Sequence, residues 1–301
     1  MRLLEKILLA TDFSKSSHKT LKSAIALAKA FQSKIILIHV LPNNIKNEKV
    51  RILLNGAAIK KLDIIHQKII KEGVKTAKPI LEYGNHFENI IQTADSNNVN
   101  MILIGAGEKL KSDVFQLGTT AAKIIRLSNK PVWVIKNENN LNVRNILCPI
   151  DFSKESKRAL KNAINMARRI KAELIVFSVY EVHNLEPPND RLNWDQDNEL
   201  VLSAHKNEFN LFLKNFDLTD LSWKKEIQIG DPAVEILKAL KRYKSDLLII
   251  GTTGKSGLTR ILMGSVTEKV IREVPCSFIT LKSEDFINLK LETRIRDIQK
   301  H

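Results

Sequence analysis

The chain has 301 residues, of which 44% are hydrophobic, so we expect about two globular domains with a real core and no global disorder. No apolar run reaches the roughly 18 to 20 residues that span a membrane, and the N-terminus lacks a signal-peptide cleavage site. These features favour a cytoplasmic protein with no membrane association. The net charge is +15, and residues 1–136 alone carry 22 basic and 10 acidic side chains.

A basic half can attract nucleic acid or another polyanion. The lysines of residues 1–136 are nevertheless scattered along predicted helices, with no aromatic interleaving and no helix-turn-helix or RNA-binding signature. We therefore favour a solvated, lysine-rich surface over a polyanion-binding one.

Cysteine and histidine spacing gives no sign of a metal site. Cys148 and Cys276 lie in apolar, strand-like runs without a CxxC neighbour, and the seven histidines show neither HxxxH nor HExxH spacing. We expect two reduced core thiols and no structural metal.

The chain repeats itself. The segment KILLATDFSKSSHKTLKSAIALAKAF at 6–31 predicts a strand that ends in Asp-Phe-Ser-Lys, followed by an amphipathic helix, and it returns at 145–170 as NILCPIDFSKESKRALKNAINMARRI. Ser14 and Ser153 stand where helix N-caps belong. Glycines separated by 21 and then 13 residues also recur, as Gly84, Gly105 and Gly118 and as Gly230, Gly251 and Gly264. This pattern indicates a duplication.

Each half alternates strands and helices. In the second half, strands are predicted near 145–150, 173–180, 224–228, 246–251 and 276–281, with helices near 154–170, 196–215, 232–243 and 265–273. Such alternation favours an α/β protein with a parallel sheet covered on both faces, in an open doubly wound topology. The predicted domains are 1–136 and 144–282, joined by a polar linker at 137–143. A charged tail at 283–301 has apolar residues at roughly helical spacing.

Ligands of open α/β sheets bind at the carboxyl ends of strands, where the strand order reverses. Asp151 follows the first strand of the second half, and a glycine-rich loop follows its fourth strand. A carboxylate there can accept hydrogen bonds from ribose hydroxyls, and glycines let backbone N–H groups approach phosphate closely. A helix that opens at Gly264-Ser265 adds its positive end. The combination predicts a nucleotide site.

Two standard phosphate loops do not fit this segment. Gly254-Lys255-Ser256 matches the end of a Walker A motif, but the first glycine of that motif would fall at Ile249, inside the strand. A GxGxxG fingerprint is absent from the chain. The spacing present is Gly-x2-Gly-x9-Gly-Ser.

This spacing resembles that of the universal stress protein family, whose ATP-binding members carry G-x2-G-x9-G-[ST] after the fourth strand. The flanking segments ILCPIDFSKES, GDPAVEIL and GSVTEKVIREVPCSFIT match as well. The resemblance covers both halves, so the chain is similar to a tandem universal stress protein. It implies two domains, each with a five-stranded parallel sheet of order 3-2-1-4-5 and helices on both faces.

The resemblance also implies roles for individual residues. Asp151 matches the aspartate that contacts the nucleoside, and Val179 matches the residue whose backbone reads the adenine. Four residues match the phosphate-binding positions, namely Gly251, Gly254, Gly264 and Ser265. Lys255 and Arg260 lie in the same loop, where they are either further phosphate contacts or ordinary exposed basic side chains. The implied ligand is ATP, with or without Mg²⁺.

The first half departs from the family pattern. Five positions match, namely Asp12, Val40, Gly105, Gly118 and Thr119. Glu108, however, stands where the second glycine belongs, Gly107 is out of register, and Asp113 adds another carboxylate. Since carboxylates repel phosphate, we expect the first domain to bind ATP poorly or not at all. Its expected role is to pair with the second domain in place of a homodimer partner.

No catalytic nucleophile or base stands out. Cys276 is predicted in a strand, His183 in a loop, and Ser265 has a phosphate-contact interpretation. We therefore expect an ATP-binding stress-response module that acts as a switch or partner-binding protein and is not an enzyme. The alternatives are a nucleotide-independent scaffold or polyanion-binding protein and a slow ATPase. Further homodimerisation is left open.

Overall fold

The computed structural model describes residues 4–107, 117–136, 143–181, 194–252 and 263–282, without the side chains of 194–199. The linker at 137–142 and the tail at 283–301 lie outside these residues. None of the described helices is long and apolar enough to cross a membrane.

The first half contains five strands and four helices within its described residues. In chain order they are β1 Lys6–Ala10, α1 Lys15–Phe31, β2 Lys34–Leu41, α2 Glu48–Lys71, β3 Ile80–Tyr83, α3 His86–Ser96, β4 Met101–Gly105, α4 Thr119–Leu127 and β5 Val132–Ile135.

The second half repeats this order. Its elements are β6 Asn145–Ile150, α5 Lys154–Ile170, β7 Glu173–Tyr180, α6 Trp194–Leu213, β8 Trp223–Ile229, α7 Pro232–Arg242, β9 Leu247–Gly251, α8 Ser265–Glu273 and β10 Ser277–Leu281. All nine elements predicted for this half are present, with ends within two residues of the predicted ones. One detail differs, because Cys276 lies just before β10 and not within a strand.

The strands form one sheet of ten, in the order β3-β2-β1-β4-β5-β10-β9-β6-β7-β8. Each half therefore has the predicted 3-2-1-4-5 order, and its strands run parallel. The halves meet where β5 and β10 pair antiparallel, with Trp133 opposite Ile279. The pairing of the two halves thus merges two predicted five-stranded sheets into one.

Helices cover both faces of this sheet, because successive strand side chains point to opposite sides. In β1, Ile7 and Leu9 join a core that also contains side chains of α1, α2, α5 and α6. Leu8 joins a second core with side chains of α3, α4, α7 and α8. One face therefore carries α1, α2, α5 and α6, and the other carries the remaining four helices.

The helices that follow β1 and β6 begin where their sequences predict. Ser14 and Ser153 cap α1 and α5, with their side chains accepting hydrogen bonds from the backbone N–H groups of Ser17 and Ser156. These caps confirm the predicted helix starts.

Both cysteines are free and buried. Burial raises the pKa of the Cys148 thiol far above its usual range and raises the pKa of Cys276 to about 12. Within the described residues, no three His, Cys, Asp or Glu side chains are grouped so that they could hold a metal ion.

Candidate functional site

The second-domain site is assembled by three neighbouring parallel strands. β6 pairs with β9 through Ile146 and Leu247, and β7 lies on the other side of β6. Asp151 follows β6, Val179 lies near the end of β7, and Gly251 ends β9. Because the carboxyl ends of parallel strands share one edge of a sheet, these three predicted residues are brought together at the point where the strand order reverses.

Asp151 is positioned by an unusual turn. Phe152 has a φ of 64°, in the left-handed region that residues with a side chain seldom adopt. The turn lets Asp151 Oδ1 accept hydrogen bonds from the backbone N–H of Ser153 at 3.1 Å and from its hydroxyl at 2.5 Å. The residue that caps α5 therefore also fixes one carboxylate oxygen of Asp151.

Gly251 lies against the first turn of α5. A Cβ at Gly251 would lie 2.9 Å from Glu155 Cβ, closer than real Cβ atoms approach their neighbours, and 3.2 Å from the Glu155 carbonyl carbon, which is a tight contact. The absence of a side chain is therefore required by the packing of β9 on α5, whether or not a phosphate binds nearby. Sequence reasoning assigned this glycine only a phosphate role.

The predicted phosphate-binding residues Gly264 and Ser265 form the start of α8. Gly264 is the N-cap, and no side chain among the described residues caps this helix end. The backbone N–H of Gly264 donates to the Thr252 carbonyl at 2.7 Å, and the Thr267 hydroxyl donates to the Gly251 carbonyl at 2.8 Å. These bonds fix the N-terminus of α8 beside the end of β9. A helix N-terminus with its backbone N–H groups directed outward attracts anions.

Three predicted site residues, Gly254, Lys255 and Arg260, lie outside the described residues. The same holds for His183 and for the two acidic residues of the first loop, Glu108 and Asp113.

The first domain contains a pocket of about 260 Å³ at the corresponding place. Its lining includes all five residues that match the family pattern in this half, namely Asp12, Val40, Gly105, Gly118 and Thr119. Gly118 N–H donates to the Ala106 carbonyl at 3.3 Å, as Gly264 does to Thr252. Ala106 therefore corresponds to Thr252, so Gly107 corresponds to position 253 and not to Gly254, in agreement with its being out of register. The φ of Gly107 is 91°, a value that favours glycine.

Asp12 is held by the same turn as Asp151, since Phe13 also has a φ of 64°. Partial burial opposes ionisation of the Asp12 carboxyl, but hydrogen bonds from Ser14 and Ser17 outweigh it and lower the pKa of Asp12. Ser14 donates its backbone N–H at 3.0 Å, and Ser17 donates its hydroxyl. Asp12 is therefore a firmly ionised carboxylate.

Two histidines in the first-domain pocket were missed by sequence reasoning. His39 and His86 line the pocket, at positions that hold Ser178 and Pro232 in the second half of the repeat. Burial lowers the pKa of His39, although the Thr11 carbonyl, 2.7 Å from its Nδ1, and the Asp12 charge oppose this. A residue-by-residue comparison of the two repeats would have found both positions.

Each domain places an imidazole against the phenylalanine that follows its aspartate, but from different elements. His39, on β2, has its ring centroid 4.2 Å from that of Phe13. In the second domain His205, on α6, has its centroid 5.2 Å from that of Phe152, and its Nε2 lies 3.0 Å from Ser178 Oγ. The Ser178 hydroxyl donates to the Ile150 carbonyl at 3.2 Å. The two sites therefore share a backbone frame and differ in their side chains.

The amino-acid sequence of both halves matches a known protein family. The model of the universal stress protein family matches residues 4–136 and again residues 142–282. A universal stress protein of Methanocaldococcus jannaschii is 34% identical over 149 residues, which cover 50% of this chain and 87% of that protein.

Two solved structures match nearly the whole chain. A universal stress protein of Archaeoglobus fulgidus is 23% identical with a TM-score of 0.69, covering 92% of this chain and 98% of that one. A functionally unknown protein of Pseudomonas aeruginosa is 19% identical with a TM-score of 0.72, covering 97% of this chain and 98% of that one. These two structures share the fold of this chain.

Proposed function

Because this chain belongs to the universal stress protein family, as a tandem two-domain member, we propose that its second domain binds ATP and that occupancy of this site switches a partner-binding surface. The observation that carries the proposal is the position of Asp151 beside the end of β9 and the N-terminus of α8. A carboxylate and an anion-attracting helix end lie at the same edge of the sheet, and the equivalent first-domain residues Asp12, Gly118 and Thr119 line one pocket. This arrangement suits the ribose and the phosphates of one nucleotide.

Each part of the nucleotide has a proposed contact. The Asp151 carboxylate accepts hydrogen bonds from the ribose, and the backbone of Val179 reads the adenine. The phosphates bind at Gly251, Gly254, Gly264 and Ser265, with Lys255 and Arg260 adding positive charge. Mg²⁺ would enter with the phosphates, since these oxygens are its usual ligands.

The first domain is proposed to bind ATP poorly. Its pocket retains Asp12 and the glycines that flank the loop, but Glu108 and Asp113 add negative charge to the loop that would approach phosphate. This domain serves chiefly as the pairing partner of the second domain, through β5 and β10.

We also propose that the protein is not an enzyme and acts in the cytoplasm. Neither thiol suits nucleophilic catalysis, because both are buried and have raised pKa values. Free thiols are typical of a reducing compartment.

Calorimetry and native mass spectrometry of the purified chain test the ATP site. We expect one ATP per chain and a rise in melting temperature on ATP addition. Gly254→Glu, which places in the second loop the residue found at 108, should abolish both effects, and Asp12→Ala should leave both unchanged. No stabilisation by ATP in the wild-type chain would refute the proposal, and two ATP molecules per chain would refute weak binding by the first domain. Loss of the single ATP in Asp12→Ala but not in Gly254→Glu would refute the assignment to the second domain.

A further inference from the structure

Helices α1 and α5 carry matching stripes of exposed basic side chains. In each helix three exposed residues follow one another at intervals of three and four, so they share one face. They occupy the same places in the repeat and are Lys15, His18 and Lys22 on α1 and Lys154, Lys157 and Lys161 on α5. Five of the six are lysines and none is acidic, so both domains present a basic stripe.

The position of these stripes is unfavourable for the helices themselves. Lys15 and Lys154 are the first residues of α1 and α5, where the helix dipole disfavours positive charge. Like charges four residues apart on a helix also repel each other, as those of Lys157 and Lys161 do. Local choices that oppose stability are expected mainly at functional positions.

The two faces of the sheet differ in charge. Helices α1 and α5 together contain ten basic residues and one acidic residue. The four helices of the opposite face, α3, α4, α7 and α8, contain seven basic and five acidic residues. At the ends of the α1–α5 layer, α2 is basic and α6 is acidic. The basic stripe common to both domains therefore lies on the central pair of helices, which the sequence separates and the fold brings together.

The two stripes form one ridge across the joint between the domains. The Arg169 guanidinium near the end of α5 donates to the Ala30 carbonyl near the end of α1 at 2.6 Å, so the C-terminal ends of the two helices lie side by side. Because β5 and β10 pair antiparallel, the helices run in opposite directions and their N-terminal halves lie toward opposite edges of the sheet. Each helix is about 25 Å long, so the ridge spans on the order of 40 Å, with Lys15 and Lys154 at its ends.

The chemistry of the ridge favours a duplex over a membrane or a single strand. Within the described residues, exposed large apolar side chains occur on neither α1 nor α5, and docking on a membrane surface needs such side chains to insert. For the same reason the ridge offers no exposed aromatic ring that could stack on an unpaired base. Basic stripes along a ridge about one duplex turn long suit the regularly spaced phosphates of double-stranded nucleic acid.

We propose that the α1–α5 ridge binds the phosphate backbone of double-stranded nucleic acid through basic side chains of both domains. Backbone contacts carry no base information, so binding is independent of sequence. None of the six stripe residues belongs to the proposed nucleotide site, and the three on α1 do not line the first-domain pocket. The ridge needs no ATP, so it stands independently of the ATP proposal.

Fluorescence anisotropy of the full chain with a labelled DNA duplex of about two turns, in the absence of nucleotide, tests the proposal. We expect binding at about 50 mM salt that weakens steeply as salt rises, because bound phosphates release counterions. An α1 variant with Lys15→Gln and Lys22→Gln, and an α5 variant with Lys157→Gln and Lys161→Gln, should each weaken binding several-fold. Each should also flatten the slope of log affinity against log salt by about 2. Because neutralisation removes unfavourable helix charges, both variants should melt no lower than the wild type.

A matched control removes the same charge from the opposite face. Lys241→Gln with Lys269→Gln changes two exposed lysines of α7 and α8 and should affect binding much less. Absence of binding at about 50 mM salt, or equal weakening by control and ridge variants, overturns the proposal. Wild-type binding by either ridge variant also overturns it, because the site would then be confined to one domain. Tighter binding of a single strand of equal length, or binding to anionic phospholipid vesicles in place of the duplex, overturns it as well and assigns the ridge to that partner.

Discussion

Phe13 and Phe152 adopt the same left-handed backbone conformation, each with a φ of 64°. In both domains this turn lets the preceding aspartate accept a hydrogen bond from the serine that caps the next helix. The conformation costs an ordinary residue about 1 kcal/mol or more. Its retention in both halves shows that the turn is part of the frame of each site.

The cost of this turn should depend on the shape of the side chain. Replacing Phe13 with Ile should destabilise the protein by about 1 kcal/mol more than replacing it with Leu, because β-branched residues tolerate the left-handed region worst. Urea unfolding of the two variants, which have equal side-chain volume, measures the difference. Equal stabilities would mean that Phe13 is not constrained in this way.

Gly251 should tolerate a methyl group less well than its counterpart Gly105. A Cβ at 251 meets Glu155 Cβ and backbone, whereas a Cβ at 105 first meets the rotatable hydroxyl of Ser16. We expect Gly251→Ala to lose about 1–3 kcal/mol through overpacking, and Gly105→Ala to lose less. Thermal or urea unfolding in the absence of nucleotide decides whether glycine is required at position 251 for packing or only for phosphate binding. Wild-type stability of Gly251→Ala would support the latter.

Removing the Ser23 hydroxyl should stabilise the protein. Ser23 Oγ is buried in α1, and no hydrogen-bond partner lies near it among the described residues. Ser23→Ala should gain about 1 kcal/mol, since it removes an unsatisfied polar group and places a better helix former. Ser33→Ala is the matched control, because the Ser33 hydroxyl donates to the Leu4 carbonyl at 2.5 Å and its loss should destabilise the protein. A loss of stability in Ser23→Ala would contradict the prediction.

Neither cysteine should react in the folded protein. Burial raises the pKa of both thiols, so little thiolate forms near neutral pH and reagents have no access to it. A chromogenic disulfide reagent at pH 8 should label no thiol in native protein and two after unfolding in urea. Rapid labelling of one thiol without denaturant would show that its strand opens locally.

Asp12 should make stability depend on pH in the acidic range. Its folded pKa lies below its unfolded value of about 3.9, so its contribution is fully present above that value and is lost as pH falls through the folded pKa. Asp12→Asn should lack the stability that ionised Asp12 contributes. The free energy of unfolding of this variant should therefore fall less steeply on acidification than that of the wild type. Urea unfolding between pH 5 and 2 measures the two slopes. Parallel slopes would show that the Ser14 and Ser17 hydrogen bonds do not favour the charged form.

Local signals in the sequence predicted the elements well. The start of α5 was predicted because Ser153 is an N-cap and the apolar residues after it recur at helical spacing. The 3-2-1-4-5 order came from the resemblance. The antiparallel joint between β5 and β10 was not predicted, because Trp133 and Ile279 lie in short apolar runs that specify burial but no partner.

The site was predicted in part. The sequence located Asp151 and the β9–α8 connection because both follow apolar strands. It missed the contact between Gly251 and Glu155, and it missed the approach of His205 to Ser178, since both depend on tertiary packing. The nucleotide-binding roles of all the predicted site residues, Asp151 and Val179 included, stay predictions.

The joint between β5 and β10 lies within a single chain, and this changes how the two halves can vary. In a homodimer every substitution occurs twice, once in each subunit, and the subunits separate on dilution. Here a short tether holds both halves in one molecule, which fixes their effective concentration near the millimolar range at any dilution. A substitution in one half therefore alters that half alone, while the other half remains paired with it through β5 and β10.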